Sequence, residues 1–226
     1  MIVILLGPPG SGKGTQAELI RKNLGFCEVS MGDMIRESVN RGDEIGRKTK
    51  SYFLKGELVP DNIILEIVKK ELDSNTDKKN FIFDGFPRNI NQAISFVNIL
   101  NSRGKGIDVV FYFDVPFPVL RKRLSRRYIC PNCGAIYALG TSTLKLHNTC
   151  DVCNTTLLKR DDDSEEIVKN RFQVYKGETF PVKQFYKKMG LLINIKNDRG
   201  KKEIWMEIKE YLNKMLLKEA PDIKGG

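Results

Sequence analysis

Ile2-Val3-Ile4-Leu5-Leu6-Gly7-Pro8-Pro9-Gly10-Ser11-Gly12-Lys13-Gly14-Thr15 is the stretch from which the architecture of this chain is read. Five apolar residues stop at a glycine cluster, and the good helix formers Gln16-Ala17-Glu18-Leu19-Ile20 follow. That order predicts a short buried strand, a loop and a helix. Glycines let successive backbone N–H groups converge on an anion, the helix N-terminus adds partial positive charge, and Lys13 adds a mobile full charge. The spacing Gly7-x4-Gly12-Lys13 fits a polyphosphate-binding loop, although the hydroxyl arrives one place late, at Thr15. A plain glycine-rich turn would have no use for the lysine, which has no packing role there. Gly10, Ser11, Gly12, Lys13, Gly14 and Thr15 are the candidate phosphate cradle.

Outward from this loop, four more apolar runs read as buried strands, at 26–29, 81–83, 109–113 and 191–195. Helical periods lie between them, at 34–39, 45–54, 61–72, 90–100, 118–126, 165–188 and 201–217. The alternation predicts an α/β fold, a five-stranded parallel sheet flanked by helices, with ligands bound beyond the carboxyl ends of the strands. Two segments break the rhythm. Residues 30–59 carry two helical patterns with no strand between them, and 128–163 carry cysteines and small polar residues with no helical period. We expect a core formed by 1–29, 60–127 and 164–226, a helical lobe at 30–59, an inserted lobe at 128–163, and a frayed tail at 220–226.

At 226 residues the chain is long enough for one good core and small additional lobes. Its formal net charge of +10 favours an anionic partner, without choosing among nucleic acid, an acidic membrane face and phosphorylated small molecules. No apolar segment reaches the length of a bilayer span, and the first apolar run is too short for a signal peptide. The chain reads as intracellular, cytoplasmic or mitochondrial. Four of its five cysteines form two Cys-x-x-Cys pairs, Cys130/Cys133 and Cys150/Cys153. In a reducing compartment that pattern suggests one closed tetrahedral Zn2+ site. A lobe this poor in apolar residues needs such a clip. His147 lies between the pairs but finds no vacancy among four thiolates, Cys27 reads as packing in a strand, and Trp205 fits core spacing.

Asp84 ends the third apolar run and is followed by Gly85-Phe86-Pro87-Arg88. A carboxylate at that strand tip can hold Mg2+ through water, and Asn89 is the better cap for the next helix. Arg36, Arg88, Arg123, Arg127, Arg160 and Arg171 flank the two lobes, where guanidinium forks can close on phosphate oxygens. Taken singly each would read as solvated surface. A competing reading makes the cysteine lobe a nucleic-acid-binding zinc ribbon, supported by the basic run Arg121-Lys122-Arg123.

The glycine loop, Gly32-Asp33-Met34-Ile35-Arg36, Asp84-Gly85-Phe86-Pro87-Arg88 with Gln92, the four cysteines and Arg160-Asp161-Asp162-Asp163 occur in one order along nearly the whole chain. In this the sequence resembles the adenylate kinases with a long, zinc-bearing lid. The resemblance implies reversible, Mg2+-dependent phosphoryl transfer from ATP to AMP by a monomer, with no nucleic acid or membrane partner. It implies that the 30–59 lobe binds AMP and that the zinc lobe closes over the donor. Met31, Arg36, Glu57, Leu58, Val59, Gly85, Arg88, Gln92, Arg160 and Arg171 would then face AMP, with Gln92 reading the adenine edge. Lys13, Arg123, Arg127, Arg160 and Arg171 would gather the donor and transferring phosphates, Asp84 would position Mg2+, and Asp162 and Asp163 would pair with arginines as the lid closes. The chain departs from the family pattern at Met31, usually threonine, at Arg126-Arg127-Tyr128, and at Ala138 to Thr143, where a histidine, a donor-facing aromatic and paired prolines are usual. The last departure leaves GTP beside ATP as donor.

Overall fold

The computed structural model describes residues 1–138, 148–196 and 199–219. A parallel sheet is built from β1 (Ile2–Leu6), β2 (Cys27–Ser30), β3 (Phe81–Asp84), β4 (Val109–Asp114) and, late in the chain, β8 (Leu192–Lys196), in the order β2-β3-β1-β4-β8. The register sets Asp84 opposite both Leu5 of β1 and Ser30 of β2. The carboxylate therefore ends its strand beside the turn that leaves β1. Alternation along the strands sends side chains to two separate cores. Ile2, Ile4, Phe81, Phe83 and Tyr112 pack under α4 (Asp61–Ser74), α5 (Ile90–Asn101) and α8 (Phe180–Lys188). Val3, Leu5, Ile82, Phe111 and Ile195 pack under α1 (Lys13–Leu24) and α9 (Lys201–Glu219). Each such fully buried side chain contributes about 1.5–3 kcal/mol, so both faces of the sheet are secured.

Between β2 and α4 the chain forms α2 (Met31–Arg41) and α3 (Glu44–Lys55). Their crossing is very close: a Cβ on Gly46 would lie 2.0 Å from the Ser38 carbonyl oxygen. Asp43 accepts the Gly46 N–H at 2.9 Å and so caps α3, while also taking the Ser38 hydroxyl and the Arg41 guanidinium. After α6 (Phe117–Ser125) come β5 (Arg127–Ile129), β6 (Ile136–Ala138) and β7 (Leu158–Lys159), an antiparallel sheet in the order β6-β5-β7. A 3-10 turn at Asp161–Asp163 then leads into α7 (Glu165–Val174).

Several boundaries differ from those read in the sequence. β2 begins at Cys27 because Phe26 turns into the α1-side core, and Cys27 itself is only partly buried. The helix expected over 165–188 is α7 and α8 joined by a wider π turn at Tyr175–Thr179. Periodicity could not show this, since the buried residues Val168, Phe172, Thr179, Val182 and Tyr186 keep ordinary helical spacings of three, four and seven across the turn. The lobe without helical period holds the three short strands. His147, residues 139–143 and the tail at 220–226 lie outside the described residues.

Candidate functional site

A cavity of about 730 Å3 opens at the carboxyl ends of the strands. Its floor is the glycine loop, with Gly10, Ser11, Gly12, Lys13, Gly14 and Thr15 all on its wall. Gly12 precedes α1 with φ 91°, and Gly10 has φ 77° with Leu124 where a Cβ would go, so neither tolerates a side chain. Lys13 folds back over the loop, donating to the carbonyls of Gly7 at 2.8 Å and Pro8 at 3.0 Å. Burial lowers its pKa to about 8, against the attraction of Asp84. Asp84 lies so close to the loop that a Cβ on Gly14 would sit 3.3 Å from its carboxylate. Burial raises its pKa, and Lys13 opposes the rise.

Arg88, Arg123, Arg127, Arg160 and Arg171 reach the same cavity from β3's following turn, α6, β5, the end of the cysteine lobe and α7. Nine cationic side chains and three carboxylates line it among the described residues, an imbalance that suits a polyanion. Burial lowers the pKa values of Arg88 and Arg160 to about 10, so both stay charged at neutral pH. Arg88 spends only its Nε, on the Gly85 carbonyl at 2.8 Å, and its remaining donors have no carboxylate partner among the described residues. Arg127 and Arg171 are held in a lattice of charge: Arg127 grips Asp163 through two nitrogens at 2.6 and 2.5 Å, and Arg171 donates to Asp162 at 2.9 Å and Asp163 at 3.2 Å. Asp162 also lies 3.5 Å from Arg36.

Asp33 was given no role from the sequence, yet it ties two lobes together. It pairs with Arg36 on its own helix, lies 3.7 Å from Arg160 of the cysteine lobe, and accepts the Ser30 hydroxyl at 2.7 Å. Burial would push its pKa up, but Arg36, Ser30 and Arg160 hold it below the usual carboxylate range. The signal available was its spacing of three from Arg36 on one helix face. A second tie is Asn170 of α7, whose amide donates to the Lys55 carbonyl at the end of α3 at 2.6 Å. There Gly56 leaves no room for a Cβ, which would meet Arg171 at 2.8 Å.

Behind the cavity a narrower slot runs between α2, α3 and α5, sharing Arg36, Arg88 and Arg171 with it. Met31, Glu57, Leu58, Val59 and Gln92 line the slot. Gly85 has φ 73° and lets the chain turn so that Arg88 reaches both spaces. Every residue proposed from the sequence for catalysis, donor and acceptor thus borders one of two adjoining spaces. The basic run divides: Arg121 pairs with Glu165 at 2.9 Å on the surface, while Arg123 faces the cavity.

In the inserted lobe the Sγ atoms of Cys130, Cys133, Cys150 and Cys153 all lie within 4.8 Å of one another. Four thiolates about 2.3 Å from a tetrahedral Zn2+ stand roughly 3.8 Å apart, so the cluster fits the ion. Outer bonds orient it: Tyr137 contacts Cys150 at 3.2 Å and Thr155 contacts Cys153 at 3.3 Å. Among the described residues, the lobe's own core is Cys130, Cys150 and Leu157 with a few half-buried neighbours.

The family model described as adenylate kinase matches residues 5–191. Among similar proteins, an adenylate kinase of Hydrogenobaculum is 44% identical over 94% of this chain and 100% of its own length. Those of Archaeoglobus fulgidus and Methanosarcina barkeri are 43% and 44% identical, each over 95% of this chain and 99% of its own length.

Proposed function

The chain belongs to the adenylate kinase family, which moves a phosphoryl group reversibly from ATP to AMP to give two ADP; from that premise we propose how its own residues divide the work. The donor triphosphate lies in the glycine loop under Lys13, Arg123 and Arg127, and ATP is the donor in this reading. AMP enters the slot with its phosphate on Arg36 and Arg88 and its base between Met31 and Val59, against Gln92. Arg160 and Arg171 stand where the two spaces meet and bear on the transferring group. Asp84 would hold the Mg2+ that travels with the nucleotide, and the ion would supply charge neutralisation at the phosphates.

No nucleophile or general base is required of the protein. Phosphoryl transfer asks that two polyanions be aligned and their charge stabilised, and arginines fixed in advance by Asp33, Asp162 and Asp163 do both without reorganising. Water is the rival acceptor. The 30–59 lobe and the 128–163 lobe meet through Asp33–Arg160 and Arg36–Asp162, which shuts it out. Zn2+ on the four cysteines holds the lid lobe together, and a reducing compartment such as the cytoplasm keeps those thiols available. No helix is long and apolar enough to cross a membrane among the described residues.

The observation that carries this reading is the continuity of the cavity and the slot through Arg36, Arg88 and Arg171. Purified protein with Mg2+, ATP and AMP should form ADP with equal loss of both substrates, and ATP should outperform GTP and ITP in a donor panel. No ADP from any pairing would overturn the assignment.

A further inference from the structure

We infer that Asp61 is a positioning residue that sets acceptor-base selectivity by holding the Gln92 amide in one of its two orientations. Gln92 is 1% exposed and lies on the slot wall among apolar side chains. Its Oε1 accepts the Arg88 backbone N–H at 2.8 Å, and its Nε2 donates to Asp61 Oδ1 at 2.7 Å. A backbone N–H can only donate and a carboxylate can only accept, so the two partners admit a single orientation of the amide. What remains is one lone pair on Oε1 and one hydrogen on Nε2, in fixed order.

That residual pair matches an adenine edge, which offers an amino donor beside a ring-nitrogen acceptor, in the way a glutamine amide pairs with adenine. A hypoxanthine edge presents the reverse, a carbonyl acceptor beside an N–H donor. With the phosphate anchored on Arg36 and Arg88, the base cannot turn over to compensate, and a reversed amide would be needed. Arg88 N–H biases the amide through a neutral bond, whereas Asp61 does so through a charge-assisted one. Asp61 also accepts the Asn89 side-chain amide at 2.9 Å, which fixes the carboxylate between the starts of α4 and α5.

This inference rests on the reading of Gln92 as the residue facing the acceptor base. The experiment compares kcat/KM for AMP and for inosine monophosphate, with ATP as donor, in the parent protein and in Asp61→Asn and Asp61→Ala. The AMP preference should fall about tenfold or more in Asp61→Ala and by less in Asp61→Asn, which keeps the shape and an acceptor oxygen but loses the charge. KM for ATP should not move in either. An unchanged preference in Asp61→Asn and in folded Asp61→Ala, or a parallel change in the ATP KM, overturns the role of Asp61. A parent protein that turns over AMP and inosine monophosphate equally well overturns instead the placement of Gln92 against the base.

Discussion

The two lobes that close over the cavity are of similar size and are built on opposite principles. The α2–α3 lobe is held by backbone approach and capping: Gly46 against the Ser38 carbonyl, Asp43 on the first turn of α3, and glycines ending both helices in the left-handed region. The cysteine lobe has, among its described residues, three short strands and a core of three buried side chains, with Val152 74% exposed. A helical pair can satisfy its own backbone and needs only one good crossing, whereas a small irregular lobe needs a cross-link. The difference teaches that one lobe should fail by steric insult and the other by loss of metal.

The largest effect is expected from Cys150→Ser. Structural zinc contributes on the order of 10–16 kcal/mol of binding free energy in small domains, far beyond what a core of three buried residues supplies. Metal content should fall, the lobe should lose its protection from hydrogen exchange, and kcat should drop about a hundredfold or more as the site opens to water. Retained metal and activity would erase the contrast between the lobes. Next, Gly46→Ala should force α2 and α3 apart at a cost of about 1–3 kcal/mol. The AMP KM should rise with zinc content unchanged; a rise in the ATP KM alone would reverse the assignment of lobes.

A third contrast lies between the lysine proposed to lie under the donor and the arginines proposed to surround the acceptor. Lys13 is lowered by burial to about 8, so it loses its charge as pH rises through that value, and the ATP KM should climb by up to about tenfold per pH unit above 8. Arg88, at about 10, keeps the AMP KM level to about pH 9. Equal pH dependence of the two constants would mean that Lys13 is not the donor's contact. The smallest effect concerns acid. The Ser38 hydroxyl and the Gly46 amide hold Asp43 down to about 2, from an ordinary 3.8. Its contribution is complete above the ordinary value and is lost as pH falls towards 2, so the urea midpoint should decline over that range and Asp43→Asn should flatten the decline.

Much of this was legible in the residues. The loop at 7–15, the strand that ends on Asp84 and the paired cysteines each need particular residue types at fixed spacings, and the structure places them as expected. Asn89 caps α5 by accepting the Gln92 N–H at 2.8 Å, as its position before an apolar period suggested. What was not legible depends on contacts between distant segments. Asp61 stands in the first turn of α4, and nothing local reveals that Gln92 and Asn89 converge on it. Gly46 sits inside a helical period, where only the neighbouring helix explains it. The π turn at Tyr175–Thr179 is invisible to a pattern of apolar residues that it barely disturbs.

Helix α7 has a consequence of its own. Asn170 fastens it to the end of α3, while Arg171, its neighbour in sequence, is bound to the acidic turn that leaves the lid. Under the proposed assignment of the two spaces, a single helix would thereby feel the arrival of either nucleotide. Whatever factor AMP applies to the affinity for ATP, ATP must apply to the affinity for AMP, because equilibrium linkage runs equally in both directions.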